Sequence, residues 1–96
     1  MLFYVKVRID TSKMLEMGAK LKSGELDKSC LKSTHCLQED PAVGINIWEA
    51  DTRESFDRVF APHAEYYQEV IEISPVILPN EAMAKLMEMF YPSYGR

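Results

Sequence analysis

The fold is decided by residues 43–60, VGINIWEADTRESFDRVF, in which a strand is followed directly by a helix. The strand is predicted over residues 43–50, where Val43, Ile45 and Ile47 alternate with Gly44, Asn46 and Trp48. Asp51 can cap the helix, and Glu54 stands where it can reach back to the amide of the cap. The apolar stripe of the helix consists of Phe56, Val59 and Phe60. Pro62 is expected to end or kink the helix, because the residue before a proline disfavours the α region.

The chain before this unit has the same two kinds of element. Residues 2–9 alternate strictly and predict a first strand, with Phe3, Val5, Val7 and Ile9 on one face and Tyr4, Lys6 and Arg8 on the other. A short helix follows, with capping side chains at residues 10–12 and a stop at Gly24. Residues 29–37 predict the second strand. The turn at residues 38–42 should pair that strand with residues 43–50 as an antiparallel hairpin.

The chain after this unit returns to the sheet. We expect a loop that contains His63, Tyr66 and Tyr67, and then a fourth strand over residues 69–77. Residues 81–91 predict a third helix with Asn80 as its cap and an apolar stripe rich in methionine. Residues 92–96 are typical of a fraying tail.

This order predicts a single α+β domain over residues 1–96 with the ferredoxin-like βαββαβ arrangement and an added C-terminal helix. Its four-stranded antiparallel sheet would carry helices on one face. We expect the other face to hold Tyr4 and Trp48, which are too apolar to leave in water. A homodimer through that sheet face, with C₂ symmetry, would cover them.

Composition limits the classes of partner. The net charge is −4 and the basic residues are scattered, so no basic patch for nucleic acid is expected. No apolar run approaches the roughly 20 residues of a membrane span. The amino terminus lacks the pattern of a signal peptide, so we expect a cytoplasmic protein with no membrane partner.

Three stretches resemble the muconolactone isomerases. Residues 1–7, MLFYVKV, are similar to the start of that family, and residues 44–51 and 70–76 are similar to its second half. The resemblance covers about half of the chain, mainly through core and turn residues. It implies a dimeric α/β barrel, in which two sheets close on each other. That broad group includes isomerases, heme-degrading and quinone-forming monooxygenases, and proteins with no assigned activity. The isomerases have His where this chain has Tyr4, so the resemblance does not imply their reaction.

His63 and Tyr66 are the candidate catalytic residues. Histidine can act as a general base near neutral pH, and tyrosine can donate a hydrogen bond to a developing oxyanion. The alternative is a polar turn whose aromatic side chains cover the seam between helix and sheet.

The candidate ligand-binding residues are aromatic or basic: Tyr4, Arg8, His35, Trp48 and Tyr67. Tyr4 and Trp48 are expected to line an apolar pocket or to anchor the dimer. Arg8 is expected to hold a small carboxylate-bearing ligand or to pair across strands with an acidic neighbour. His35 is either a pocket residue or an edge residue that contacts only water or backbone.

No metal site and no cofactor are predicted. Cys30 and Cys36 are too far apart along one strand for a disulfide, and His35 and Cys36 point to opposite faces. No phosphate-binding glycine loop is present. The sequence therefore leaves two hypotheses open. The first is a dimeric barrel that binds or transforms a small organic molecule, as an isomerase or monooxygenase does. The second is an accessory protein that only self-associates, without enzymatic activity.

Overall fold

The computed structural model describes residues 1–91, and the predicted tail at 92–96 lies outside the described residues. The sheet contains strands β1 (Leu2–Ile9), β2 (Leu31–Cys36), β3 (Val43–Glu49) and β4 (Tyr67–Val76). The helices are α1 (Met14–Ser23), α2 (Arg53–Ala64) and α3 (Pro79–Phe90), with one 3₁₀ turn (Thr11–Lys13) before α1. The element order confirms the predicted βαββαβ arrangement with a C-terminal helix.

The four strands form one sheet in the order β2-β3-β1-β4, and every neighbouring pair is antiparallel. Each helical crossover, α1 and α2, therefore connects two strands that are separated in the sheet by a third. This is the ferredoxin-like topology that the sequence predicts. We refer below to the face that α1 and α2 cover as the helix face, and to the opposite face as the open face.

The ends of α1 follow local chemistry. The Asp10 carboxylate accepts a hydrogen bond from the amide of Ser12 at 3.0 Å, which starts the turn. Gly24 ends the helix in the left-handed region, at φ 86°, a conformation that costs a residue without Cβ little. The capping side chain at residue 10 and the stop at Gly24 agree with the sequence, but Asp10 caps the 3₁₀ turn, and α1 itself begins after Lys13 without a side-chain cap.

The predicted cap and end of α2 are wrong. Thr52, not Asp51, caps the helix, because its hydroxyl and that of Ser55 form a reciprocal capping box, so Glu54 is not needed. The helix also continues through Pro62 to Ala64. Pro62 removes only one backbone donor, and the burial of His63 beyond it holds the last turn against the sheet.

Two other boundaries differ from expectation. Strand β4 begins at Tyr67, so Tyr67 belongs to the sheet and not to a loop. Helix α3 begins at Pro79 with Leu78 as its N-cap residue, and Asn80 lies inside the first turn. Proline suits the first helical position because its missing N–H would have no partner there.

The predicted placement of Trp48 on the open face is wrong. Trp48 pairs with Phe3 across β3 and β1, so it lies on the helix face, where it is 1% exposed. Ile45 and Ile47 instead pair with Lys6 and Tyr4 and lie on the open face. Both alternating sets of residues in β3 contain apolar side chains, so the alternation alone does not show which set faces the helices. The pairing with β1 decides this.

Aromatic rings fill the helix face beneath α2. Phe56 stacks on Phe3 with ring centroids 4.6 Å apart and lies 5.2 Å from the ring of Phe60. Trp48 meets the edge of Phe60 at 5.7 Å. We call this cluster of Phe3, Trp48, Phe56 and Phe60 the packed half of the helix face.

Helix α3 lies away from this core. Its apolar side chains are exposed, among them Met83 and Phe90 at 60% and 67%. The molecule measures 56 × 30 × 18 Å, and its radius of gyration is 16.7 Å, against about 12.5 Å for a compact domain of this length. The projecting α3 accounts for this elongation.

Candidate functional site

A cavity of about 170 Å³ lies between α1 and the helix face, beside the packed half. Its apolar wall is formed by Val7, Ile9, Met17, Leu21, Leu31 and Trp48, and its polar wall by Thr34, Cys36, Asn46, His63 and Tyr67, with Gly44 between them. We call this region the hollow half of the helix face. The cavity exists because none of the residues of α1 is buried. The helix lies over the sheet, but its side chains do not fill the space between them.

A chain of hydrogen bonds crosses the polar wall. The Thr34 hydroxyl donates to Asn46 Oδ1 at 2.5 Å. The side chain of Asn46 also interacts with the phenol of Tyr67. Because this interaction lowers the pKa of Tyr67, Asn46 acts in it as the hydrogen-bond donor, through its amide nitrogen. Asn46 itself is 5% exposed, and its contacts with Thr34 and Tyr67 hold the amide in one orientation.

The environment of Tyr67 favours its neutral form. Burial raises the pKa of the Tyr67 hydroxyl above its ordinary value, and the hydrogen bond with Asn46 offsets part of that rise. The hydroxyl therefore stays protonated at neutral pH and is available as a hydrogen-bond donor.

His63 lies at the edge of the cavity with a fixed tautomer. Its Nε2 is 2.7 Å from the backbone carbonyl oxygen of Asp27. A carbonyl can only accept, so Nε2 carries the proton and Nδ1 carries the lone pair of the neutral ring. The ring packs edge-on against Trp48, with centroids 5.0 Å apart. A buried imidazole held in this way is an acceptor or a base through Nδ1.

Trp48 joins the hollow half to the packed half. It contributes to the cavity wall while its ring contacts Phe56 and Phe60. Its buried indole Nε1–H has no hydrogen-bond partner among residues 1–91. Because this is the only tryptophan in the chain, its resonance or fluorescence reports on the cavity without ambiguity.

Tyr66 lies apart from the cavity wall. It is 4% exposed, and the ammonium of Lys20 lies over its ring, 5.4 Å from the centroid. A hydrogen bond with Tyr66 raises the pKa of the exposed Lys20 ammonium. This contact ties α1 to the start of β4.

The remaining predicted site residues lie on the open face. Tyr4 is half-buried there, beside Ile47. Arg8 pairs with the carboxylate of Asp40 at 3.1 Å, and His35 is exposed opposite Ile45. The structure thus brings His63, Trp48 and Tyr67 together at the cavity and places the open-face residues on the other side of the sheet.

Sequence reasoning missed Thr34, Cys36 and Asn46 as site residues. Asn46 carries a readable signal, since it is a polar residue between two isoleucines in a strand that is otherwise apolar. A polar side chain that shares a face with Trp48 is buried, and a buried amide needs partners. Thr34 and Cys36 carry no such signal, because their place at the cavity depends on how β2 pairs with β3.

A second depression, of about 390 Å³, lies at the Met1 end of the sheet. It is wide open to solvent, and its charged rim includes Lys32 and Glu49, which pair with each other at 3.2 Å. Among residues 1–91, no group of three or more His, Cys, Asp or Glu residues is placed to hold a metal ion. Cys30 and Cys36 are both free thiols.

One solved protein shares the fold of this chain, and others are similar to it more weakly. The 5-chloro-2-hydroxyhydroquinone dehydrochlorinase of Burkholderia phenoliruptrix, solved with 2,5-dihydroxybenzoquinone, is 14% identical, with a TM-score of 0.58 over 84% of this chain and 98% of that one. A conserved protein of Methanosarcina mazei is 17% identical, with a TM-score of 0.48 over 76% and 86% of the two chains. An antibiotic biosynthesis monooxygenase is 14% identical, with a TM-score of 0.48 over 82% and 100%.

The likeness to the dehydrochlorinase confirms the ferredoxin-like fold that the sequence predicts. No protein-family model matches the chain, and no curated protein matches it significantly. Among residues 1–91, no helix has the length and apolar character needed to cross a bilayer.

Proposed function

We propose that this protein binds a small, mostly apolar organic molecule in the cavity of the hollow half. The observation that carries the proposal is the composition of the wall: a continuous apolar surface interrupted by one oriented set of polar groups on Asn46, His63 and Tyr67. Ligand sites combine these features, since apolar walls supply affinity and a few placed polar groups supply orientation.

The volume of the cavity limits the size of the ligand. An engineered protein cavity of roughly 150 Å³ accepts benzene, and this cavity measures about 170 Å³. The ligand is therefore about one six-membered ring with a small substituent. The dehydrochlorinase that shares the fold is solved with a single-ring compound, 2,5-dihydroxybenzoquinone, which supports a ligand of this size.

Within this site, we propose His63 as the general base if the bound molecule is also transformed. The hydrogen bond from Nε2 to the Asp27 carbonyl holds the ring in place and leaves Nδ1 as the nitrogen that can accept a proton. Of the two neighbouring tyrosines, Tyr67 lines the cavity and Tyr66 does not. Tyr67 is thus the better candidate for the proton or hydrogen-bond donor.

The proposal is tested by a screen of single-ring compounds against the isotopically labelled protein. Binding in the cavity should shift the single indole Nε1–H resonance of Trp48 and the side-chain amide resonances of Asn46. The substitution Leu21→Phe fills the cavity and should abolish these shifts. Leu15→Phe places the same group on the same helix, where Leu15 is 86% exposed, and should leave them intact.

Two results would contradict the proposal. One is the absence of any compound that perturbs Trp48 or Asn46. The other is equal binding to the Leu21→Phe and native proteins, which would place the ligand elsewhere on the molecule.

Self-association is a second candidate function, and the apolar surface favours it. Tyr4, Ile45 and Ile47 form the centre of the open face, and no described residue covers them fully. Helix α3 presents a further exposed stripe. A homodimer through the open face would bury the first of these surfaces.

Sedimentation at low micromolar concentration tests this second candidate. The expected mass is twice the 11.1 kDa of one chain. The variant Ile47→Lys places a charge at the centre of the open face and should produce monomers. Leu15→Lys, on exposed α1, should not. A native protein that sediments as a monomer would rule out self-association as the function.

A further inference from the structure

We infer that the ligand of the cavity is uncharged and is held through a hydrogen-bond acceptor by the Tyr67 hydroxyl. This inference rests on the proposed function and specifies the chemical class of the ligand. Carbonyl compounds such as ketones, quinones and lactones belong to that class, whereas carboxylates do not.

The absence of charge in the wall is the first argument. None of the residues that line the cavity is Lys, Arg, Asp or Glu. A carboxylate that entered would lose its hydration and meet no Lys or Arg side chain in the wall. Burying an unpaired ion costs far more than burying a neutral polar group that finds a hydrogen bond. The cavity therefore selects against an ionised ligand of the same shape.

The direction of the hydrogen-bond chain is the second argument. The Thr34 hydroxyl donates to Asn46 Oδ1, and the Asn46 amide nitrogen bonds the Tyr67 oxygen. Asn46 therefore faces Tyr67 with its donor group, and among the described residues no acceptor is hydrogen-bonded to the Tyr67 proton. A hydroxyl that already accepts a hydrogen bond is also a stronger donor, because the bonds in a chain polarise one another.

The protonation state of Tyr67 is the third argument. Burial raises the pKa of Tyr67, so the hydroxyl keeps its proton throughout the neutral range. The polar end of the cavity therefore presents a hydrogen-bond donor throughout the neutral pH range. A ligand with hydrogen-bond donors only would leave this hydroxyl proton without an acceptor, whereas a carbonyl oxygen accepts its hydrogen bond.

Three probes of one size separate these properties: acetophenone has a neutral acceptor, ethylbenzene has no oxygen, and benzoate is anionic. Titrations at about pH 8, at which benzoate is fully ionised, are followed by the Trp48 indole resonance. In the native protein, acetophenone should bind about tenfold more tightly than ethylbenzene, the usual effect of one good hydrogen bond. Benzoate should bind at least about a hundredfold more weakly than acetophenone.

The variant Tyr67→Phe removes the hydroxyl and keeps the ring. It should bind acetophenone and ethylbenzene equally, while Tyr66→Phe, outside the cavity, should retain the tenfold preference. The comparison with benzoate needs no variant, so it tests the inference even if Tyr67→Phe does not fold.

The outcomes distinguish this inference from the function on which it rests. If none of the three probes shifts Trp48 in the native protein, the proposed cavity function fails and the inference fails with it. If ethylbenzene binds as well as acetophenone, or benzoate binds as well as either, the cavity remains a binding site and only the inference is overturned. A preference that survives in Tyr67→Phe overturns the role of Tyr67.

Discussion

Helices α1 and α2 cover the same face of one sheet but cover it differently. Helix α2 inserts Phe56 and Phe60 against Phe3 and Trp48 and leaves no space between them. Helix α1 buries no residue and leaves the cavity of the hollow half beneath it. Tight side-chain packing is therefore confined to one half of the helix face, and the other half retains an open space.

The two halves also differ in their polar content. The packed half consists of stacked and edge-on aromatic rings. The hollow half contains Thr34, Asn46 and Tyr67 in one hydrogen-bonded chain. Buried polar groups weaken a core unless every partner is present. Their concentration in the hollow half agrees with binding there and not with packing alone.

The largest expected effect is the loss of an aromatic side chain from the packed half. Phe56→Ala should lower the free energy of unfolding by about 3–5 kcal/mol, because it leaves a void among close-packed rings. Leu21→Ala, in the wall of the hollow half, should cost about 1 kcal/mol, since it enlarges a space that already exists. Urea unfolding followed by Trp48 fluorescence measures both. Equal losses would show that the two halves are packed alike.

The opposite change, a larger side chain, tests the same difference in packing between the two halves. Val5 is 0% exposed within the core, and Val5→Leu should cost about 1–3 kcal/mol through overpacking. Leu21→Phe should cost less than about 0.5 kcal/mol, because the added atoms enter the cavity. Urea unfolding again provides the measurement. A large penalty for Leu21→Phe would mean that the space under α1 cannot accept a ring.

The same comparison shows which features of the structure the sequence predicts and which it does not. The order of the elements follows from periodicity and capping, and the structure has all seven of them in that order. The orientation of β3 could not be predicted from its own residues, because Ile45 and Trp48 give both phases of the alternation an apolar side chain. Only the register between β3 and β1, a long-range property, places Trp48 on the helix face.

The site was less predictable than the fold. The cavity depends on the distance between α1 and the sheet, and this distance cannot be predicted from the residues of α1. His63 and Tyr67 were proposed from their chemistry, but their neighbours Thr34 and Asn46 come from strands β2 and β3. The rule that a proline ends a helix places the end of α2 too early, because the burial of His63 outweighs the effect of Pro62.

A smaller effect should separate the starts of the two helices. Thr52 caps α2 through its hydroxyl, and Thr52→Ala should cost about 1 kcal/mol. Lys13 stands at the same position of α1 and makes no capping hydrogen bond from its side chain, so Lys13→Ala should cost less than about 0.5 kcal/mol. Thermal unfolding of the two variants is the check. A larger loss for Lys13→Ala would reverse the assignment of α1 as the weaker helix.

The smallest expected effect is confined to alkaline solution and comes from Tyr67 in the hollow half. Since burial raises the pKa of Tyr67 above the ordinary 10.0, the unfolded chain releases this proton first as the pH rises. The folded state then binds more protons than the unfolded state, so Tyr67 lowers the free energy of unfolding as the pH rises above 10.0. Tyr67→Phe should reduce this alkaline decline, whereas Tyr4→Phe on the open face should leave it in place. Lys20, whose pKa is also raised, contributes a decline of the same sign in both variants. Urea unfolding across this range measures the difference, and an unchanged decline in Tyr67→Phe would mean that the phenol is not buried against the cavity.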